Sequence, residues 1–374
     1  MGATVVINQT YKESALESPV AVIVQSNTLA VALNRFSKEK KPSPQIWLID
    51  KKGKKKKEIG VDLGEPFVLK AMHSGKGSGW YLLGEVGPPK FENTLIHLTA
   101  DGKVSERIAV RRTIDKNANS MISYKGGALL YGTHLKPDKS RDGWMVRVDY
   151  DGTIHWDRSF DLGKDETILS VIVKGEKVIF LSDSGKYNQY GQGESDLYVV
   201  EIDSSGNVER KIKISEGRAN TKGAPLLIET QKGYLISYTK TQLPDIKKAQ
   251  SMKGFAFDAW LASVSQAFKL NWTKKVGSTD GPGTSLLATN SDGNVYLSGA
   301  KKNGAWVAEV AVDGSLKWEA VGLVHGRYSV EGLVAEDSKV YVVGQLLKLP
   351  DVDDLKNGRS EVEQEVTLHM VKGD

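Results

Sequence analysis

One hairpin pattern recurs along the chain and constrains its fold more than any other feature. In each copy, an apolar strand runs into a short turn and a second strand follows. The turn residues of the six clearest copies lie about 50 residues apart, at Gly53, Gly102, Gly152, Gly206, Phe268 and Gly314. Two more β-rich runs, separated by Gly, Asn or Asp, precede each copy. The chain therefore repeats a unit of four short antiparallel strands.

A four-stranded sheet of this length cannot bury both of its faces alone, so it must stack on its own copies. Radial stacking of such sheets gives a β-propeller. Six complete units begin near Val20, Phe67, Ser120, Ile168, Ala224 and Thr284. A seventh begins at Tyr328 and has only three strands before the chain ends, whereas residues 4–10 form a strand without a unit.

We therefore predict an all-β fold in a single domain, a seven-bladed β-propeller of four-stranded antiparallel blades. The N-terminal strand joins the last blade and closes the ring, which removes an exposed sheet edge. The predicted blades cover residues 20–63, 66–110, 119–162, 167–214, 223–276, 283–321, and 328–374 with 3–11.

Three tryptophans stand at one position of the repeat. Trp156, Trp272 and Trp318 each follow the turn residue by four positions. This spacing resembles the tryptophan-docking repeat of quinoprotein-type (PQQ-like) propellers, in which the indole packs between neighbouring blades. The resemblance covers nearly the whole chain and implies a structural role for the three indoles. Four outer strands lack the tryptophan, the unit count is seven rather than eight, and cysteine is absent, so the resemblance implies no quinone site.

Composition excludes several classes of site. The 374 residues include no cysteine, which rules out disulfides, thiolate nucleophiles and cysteine-bound zinc. Lysine and arginine total 51 against 46 acidic residues, and only 11 of the basic residues are arginine. Because bidentate recognition of phosphate and guanine favours arginine, we expect a solvated lysine-rich surface and no nucleic-acid partner. No apolar run is long enough to span a bilayer.

Catalytic motifs are missing from the sequence. Its six histidines are scattered, none belongs to an HExxH motif, and no GxSxG turn occurs. The glycine-rich segment 75–79 joins two predicted strands rather than opening a helix, so it does not form a phosphate-binding loop. We therefore predict no catalytic residue, no cofactor and no metal site.

The insertions are distributed unevenly between the two ends of the predicted blades. Connections between strands one and two, and between strands three and four, share one end, which we call the tight-turn face. Connections between strands two and three, and between blades, share the other end, which we call the long-loop face. The long-loop face carries nearly every insertion, at residues 37–44, 87–93, 136–143, 184–195, 241–258 and 346–363.

These loops contain residue types that are enriched at protein interfaces. The candidate partner-binding residues are Phe91, Arg141, Tyr187, Tyr190, Met252, Phe255 and Phe257. They favour a non-catalytic protein that grips another protein with its long-loop face. Two alternatives stay open, namely a bacterial immunity or inhibitor protein that neutralises a toxin, and an enzyme or carbohydrate binder with its site at the central funnel.

The sequence also suggests a location and an oligomeric state. No basic and apolar leader opens the chain, and cysteine is absent. We expect an extracytoplasmic protein, periplasmic or secreted with its signal removed, rather than a cytoplasmic one. We also expect a monomer in the absence of the partner.

Overall fold

The computed structural model describes residues 3–11, 16–36, 42–87, 92–110, 115–187, 193–215, 227–241, 257–279, 286–301, 304–323, 327–348 and 363–373. These residues form twenty-eight strands and one short 3-10 turn, Lys76–Ser78. The described part of the chain contains no helix with the length and hydropathy needed to cross a bilayer.

Blades 1 to 4 follow one another along the chain, each with four strands in sequence order. Blade 1 contains β2 (Leu16–Gln25), β3 (Thr28–Phe36), β4 (Ser43–Asp50) and β5 (Lys55–Gly60). Blade 2 contains β6 (Phe67–Ser74), β7 (Trp80–Val86), β8 (Glu92–Leu98) and β9 (Val104–Val110). Blade 3 contains β10 (Lys116–Tyr124), β11 (Gly127–Leu135), β12 (Arg141–Asp149) and β13 (Ile154–Phe160). Blade 4 contains β14 (Asp165–Lys174), β15 (Lys177–Tyr187), β16 (Gly193–Ile202) and β17 (Val208–Ser215).

The last three blades complete the ring. Blade 5 contains β18 (Leu227–Thr230), β19 (Gly233–Thr241), β20 (Phe257–Ser265) and β21 (Leu270–Thr279). Blade 6 contains β22 (Leu286–Thr289), β23 (Val295–Lys301), β24 (Gly304–Val310) and β25 (Leu316–Leu323). Blade 7 contains β26 (Arg327–Glu336), β27 (Lys339–Lys348), β28 (Glu363–Gly373) and the N-terminal β1 (Ala3–Tyr11).

The predicted closure of the ring is confirmed by the pairing of its two terminal strands. β1 lies antiparallel to β28, from the Ala3–Gly373 pair to the Tyr11–Val366 pair. The first strand of each blade also contacts the first strands of both neighbouring blades, in an unbroken circle from β2 to β26 and back. The fold is therefore a seven-bladed propeller of four-stranded antiparallel blades, as the repeat predicts.

The hydrophobic core lies between the blades, as seven separate clusters. The cluster between blades 2 and 3, for example, packs Trp144 of β12 against Tyr81 and Leu83 of β7. The cluster between blades 5 and 6 packs Trp306 of β24 against Leu235 and Leu261. Each blade thus buries its two faces on its two neighbours, which is why no blade could be stable alone.

Tryptophan docking is confirmed at three of these interfaces. Trp156 contacts Gly206 of the next blade so closely that a methyl group on this glycine would lie 3.1 Å from the indole. Trp272 covers Gly314 in the same way. Trp318 lies against Gly373 of β28. Gly206 and Gly314 have φ angles of 82° and 80°, a left-handed conformation that glycine adopts without strain.

The interfaces without tryptophan are built in different ways. Ile7 of β1 replaces the indole over Gly53. In blades 1 and 2, the residues at the tryptophan position, Lys57 and Glu106, are exposed. There the contacts with the next turn glycine come from two positions further along the strand, in the pairs Ile59 with Gly102 and Ile108 with Gly152. Between blades 4 and 5, Phe268 replaces the glycine, and the Arg210 guanidinium lies over its ring at 4.4 Å. The turn residue of each blade is therefore covered by the outer strand of the preceding blade, although the covering side chain comes from one of two positions in that strand.

Candidate functional site

The two ends of the propeller differ sharply in their connections. All connections at the tight-turn face span two to five residues, and the structure describes every one of them. At the long-loop face, the connection between β19 and β20 takes residues 242–256 and that between β27 and β28 takes residues 349–362. The longest connections therefore lie on one face, as predicted. Three of the predicted insertions are shorter than expected, because the connections 87–91, 136–140 and 188–192 span five residues each.

The strands extend further toward the long-loop face than the sequence suggests. Arg141 begins β12, Tyr187 ends β15 and Phe257 begins β20, so their assignment to loops is wrong. The reason is continued pairing of the second and third strands, from Leu135 to Arg141 and from Tyr187 to Gly193. The other candidates, Phe91, Tyr190, Met252 and Phe255, lie outside the described residues.

Arg141 is the candidate whose surroundings are described. Its side chain is exposed at the long-loop face. Its backbone N–H donates a 3.0 Å hydrogen bond to Oδ1 of Asp165, at the start of blade 4. The blade 4 strand thus fixes the beginning of β12 and leaves the guanidinium facing outward.

Charged residues surround Arg141 at the junction of blades 3 and 4. The Lys136 ammonium lies 2.8 Å from Oδ1 of Asp142 and 3.9 Å from Oδ2 of Asp161. On blade 4, Asp196 accepts hydrogen bonds or ion pairs from Lys164 at 3.0 Å and from Lys213 at 3.2 Å. Burial opposes ionisation of Asp196, but the two ammonium groups outweigh it and lower the pKa of this carboxyl group.

A buried glutamate of this junction has a less favourable environment. Glu166 is fully buried near the start of β14. Its Oε1 accepts hydrogen bonds from the Lys164 N–H and the Ser184 hydroxyl, both at 2.7 Å. Burial nevertheless raises the pKa of Glu166 above its usual value. The junction therefore contains a carboxyl group that its neutral hydrogen-bond donors do not fully stabilise as an anion.

The sequence analysis missed a recurrent acid of this face. Strand pairing places an acid at the same register in the third strand of five blades, seven residues before the turn. These residues are Glu92, Asp142, Asp196, Asp258 and Glu365. A signal was present in the sequence, because Asp142 and Asp258 each precede a strand tryptophan by two positions.

The central channel is mainly apolar at one level, which lies one or two residues inside the tight turns. One half-buried residue of each first strand shares the same register, and six of the seven are aliphatic. They are Ile23, His73, Ile122, Ile172, Ile228, Ala288 and Val334. Because the first strands surround the axis, the exposed part of each side chain faces the channel. At this level the wall therefore carries no carboxylate.

Closer to the long-loop face, a bulge in the first strand presents one extra residue in each of the five blades where this part is described. These residues are Val20, Lys70, Asn119, Leu169 and Glu331. Lys70 is held by Glu85 at 2.7 Å and by Asn117 at 2.5 Å. Glu331 is the single acid of this level among the described residues, and burial raises its pKa. These two rings of described residues thus include one carboxylate, whereas glycoside hydrolysis uses a pair.

Comparisons with known proteins reach the fold and no further. No protein-family model matches the sequence, and no curated protein matches it significantly. A chain from the complex of Drosophila Plexin A with Semaphorin 1b aligns over 98% of this chain and 87% of its own, with 8% identity and a TM-score of 0.52. A putative 6-phosphogluconolactonase from Bacteroides uniformis aligns over 94% and 95%, with 10% identity and a TM-score of 0.50. The propeller domain of the Trilobed protease from Pyrococcus furiosus aligns over 88% and 91%, with 11% identity and a TM-score of 0.49.

Proposed function

We propose that this propeller is a non-catalytic binding protein that grips another protein with its long-loop face. The observation that carries the proposal is the asymmetry of the connections, since every connection of the opposite face is a turn of at most five residues. A rigid ring with variable loops on one face is a common arrangement for recognition, because the scaffold positions the loops at low entropic cost.

The electrostatics of the described part of this face support the same conclusion. Arg141 and Lys139 are exposed there, beside a set of buried or half-buried acids that are paired with lysines. Exposed arginine next to fixed charges favours contact with a partner of complementary charge. The similar structures include a chain of the Plexin A–Semaphorin 1b complex and a putative 6-phosphogluconolactonase. They therefore favour neither protein binding nor enzymatic activity for this chain.

The channel argues against the funnel enzyme. Six aliphatic residues and one histidine form one ring of the channel, and the described bulge residues include one acid. An immunity or inhibitor protein is a special case of the proposal in which the partner is a toxin. We therefore keep protein binding as the function and leave the class of partner to the experiment.

The test compares two charge-reversed variants in partner capture from an extract of the source organism. Lys139→Glu with Arg141→Glu alters the long-loop face, and Lys52→Glu with Lys232→Glu alters exposed positions of the tight-turn face by the same charge. We expect the first variant to weaken capture of the specific partner by at least about fivefold, or about 1 kcal/mol. The second should retain it.

The opposite pattern would contradict the proposal, as would equal capture by both variants. Unchanged thermal unfolding of each variant is the control for folding. If the captured protein is an enzyme or toxin, its activity in the presence and absence of the propeller shows whether the propeller is an inhibitor.

A further inference from the structure

Three carboxylates meet at the long-loop face where blade 3 adjoins blade 4. Asp142 lies at the start of β12, Asp161 directly follows β13, and Glu166 lies near the start of β14. One oxygen of each carboxylate lies within 4.8 Å of an oxygen of both others. Asp142 is 7% exposed and Glu166 is 0% exposed, so two of the three groups are withdrawn from water.

The described cationic groups do not balance this charge. The Lys136 ammonium contacts Asp142 and Asp161, but it supplies one positive charge to three carboxylates. The nearby Lys164 ammonium is bound to Asp196 instead. With all three carboxylates ionised, the junction has an excess of two negative charges, which is costly in a poorly hydrated site.

One oxygen of Glu166 also lacks a hydrogen-bond partner. Its Oε1 accepts hydrogen bonds from the Lys164 N–H and from Ser184, whereas its Oε2 is buried without any donor. A buried carboxylate oxygen without a donor or cation costs free energy that the fold must offset elsewhere. The free oxygen of Glu166 can therefore serve as a ligand for an additional positive charge.

In blade 1, a glutamate at the register of Glu166 has a cationic neighbour that Glu166 lacks. Glu17 of β2 occupies the same register as Glu166 and is 1% exposed. Its cross-strand neighbour is Arg35, whose Nε lies 3.8 Å from the Glu17 carboxylate. In blade 4 the register of Arg35 is occupied by Ser184, which is neutral. Among the described blades, blades 1 and 4 have a glutamate at this register, and the cross-strand neighbour is a cation in blade 1 but a neutral residue in blade 4.

We propose that the carboxylates of Asp142, Asp161 and Glu166 bind a calcium ion at the junction of blades 3 and 4. Oxygen donors alone select a hard cation rather than a transition metal. Oxygens on opposite sides of an ion are separated by twice the metal–oxygen distance, which is about 4.6–5.2 Å for Ca²⁺ and about 4.0–4.2 Å for Mg²⁺. The oxygens of this cluster lie within 4.8 Å of one another, which brings all three within reach of one ion. Ca²⁺ is favoured because Mg²⁺ demands near-octahedral geometry and loses its water ligands reluctantly.

Binding requires the Lys136 ammonium to leave the carboxylates, because it and the ion would occupy the same negative site. Lys136 follows β11 directly and is joined to Ser140 by the turn that precedes β12. Calcium would therefore free a lysine at the face that we propose for partner binding. The ion site itself does not depend on that proposed function, since it is defined by carboxylates within the chain.

The experiment is a calorimetric titration of the whole protein, after dialysis against EDTA, with CaCl₂ and separately with MgCl₂. We expect one Ca²⁺ per chain with a dissociation constant below about 1 mM, and weaker binding of Mg²⁺. Lys136→Met should bind Ca²⁺ more tightly, because the competing ammonium is gone. Glu166→Gln should reduce the affinity by at least about tenfold, because a ligand charge is lost.

Two further variants keep the result interpretable. Asp161→Asn should also reduce affinity by at least about tenfold, and its 64% exposed side chain makes it tolerant of substitution if Glu166→Gln does not fold. Glu209→Gln removes an exposed acid that is bound to Lys177 on the same blade, and it should bind Ca²⁺ like the original protein. Absence of binding at about 10 mM CaCl₂ in both the original protein and Lys136→Met would overturn the proposal. Equal affinity in Asp161→Asn, Glu209→Gln and the original protein would overturn it as well.

Discussion

The Trp156 indole donates a 3.0 Å hydrogen bond from Nε1 to the carbonyl oxygen of Ser204, so a side chain of blade 3 is anchored to a turn of blade 4. The same ring covers Gly206, two residues further on in that turn. An apolar contact and a directional bond thus fix the spacing of neighbouring blades. Because the ring is closed, loss of one such contact should affect the stability of the whole domain.

Trp156→Ala should lower the free energy of unfolding by about 3–5 kcal/mol, since the indole is buried and leaves a cavity beside Gly206. Trp156→Phe keeps an aromatic ring and loses the hydrogen bond, so its loss should be smaller. Urea unfolding followed by circular dichroism measures both. A loss below about 1 kcal/mol for Trp156→Ala would contradict the docking role.

Removal of residues 1–11 should destabilise the domain and promote association, because it uncovers the edge of β28. The deletion also removes Tyr11, whose hydroxyl donates a 2.5 Å hydrogen bond to the Gly53 carbonyl of blade 1. The measurement is thermal unfolding together with light scattering. An unchanged melting temperature and a monodisperse truncated protein would show that the closure by β1 is dispensable.

A matched pair of point variants tests the same strand more gently. Ile7 contacts Gly53 and is half-buried, whereas its neighbour Val6 is 54% exposed. Ile7→Ala should cost about 1–2 kcal/mol of unfolding free energy, and Val6→Ala should cost close to nothing. Equal losses in the two variants would argue against the docking of Ile7.

Stability should fall in acid because of one buried histidine. His369 is fully buried beside Tyr328, both of its ring nitrogens lack hydrogen-bond partners, and burial lowers its pKa to about 4. The unfolded chain binds a proton near pH 6.5, so the folded state loses stability as the pH falls from about 6.5 to about 4. The full loss from this residue is about 3 kcal/mol, and it contributes nothing to the slope above about pH 7.

His369→Leu should therefore flatten the dependence of unfolding free energy on pH between about 6.5 and 4. His155→Gln is the control, because His155 is exposed on β13 and bonded to Asp149. Urea unfolding at several pH values measures the slopes. An unaltered slope in His369→Leu would mean that this histidine does not remain neutral in the folded protein.

Phe268→Gly should destabilise the protein even though it restores the residue type of the other turns. The glycine would relieve the left-handed backbone at φ 58°, a gain of about 1 kcal/mol. It would lose a buried ring that contacts Tyr234 and Arg210, a cost of about 3–5 kcal/mol for a large aromatic side chain. The net loss should be about 2–4 kcal/mol by urea unfolding.

Asp337→Gly is the control for this substitution. Asp337 has φ 50° and an exposed side chain in the turn between β26 and β27, so only the backbone term applies. This variant should be neutral or more stable by up to about 1 kcal/mol. If Phe268→Gly behaved in the same way, the contacts of its ring would not contribute to the interface between blades 4 and 5.

The sequence alone predicted the number of blades, the strand order, the closure by residues 4–10 and the structural role of Trp156. Strand periodicity and turn residues are local signals, and the repeat multiplies them, so they survive without knowledge of the packing. The division of the connections between two faces follows from the same strand order. For this reason the long-loop face could be predicted, although the exact ends of β12, β15 and β20 could not.

Only the tertiary structure decided which side chains meet at the blade junctions. Nothing in the spacing of Asp142, Asp161 and Glu166 indicates that their oxygens converge, because the three residues belong to two blades. Likewise, the pairing of Glu17 with Arg35 in blade 1 and of Glu166 with the neutral Ser184 in blade 4 depends on register across strands. Contacts of this kind are set by how one sheet packs on the next, and packing between blades is a long-range property that no local sequence pattern encodes.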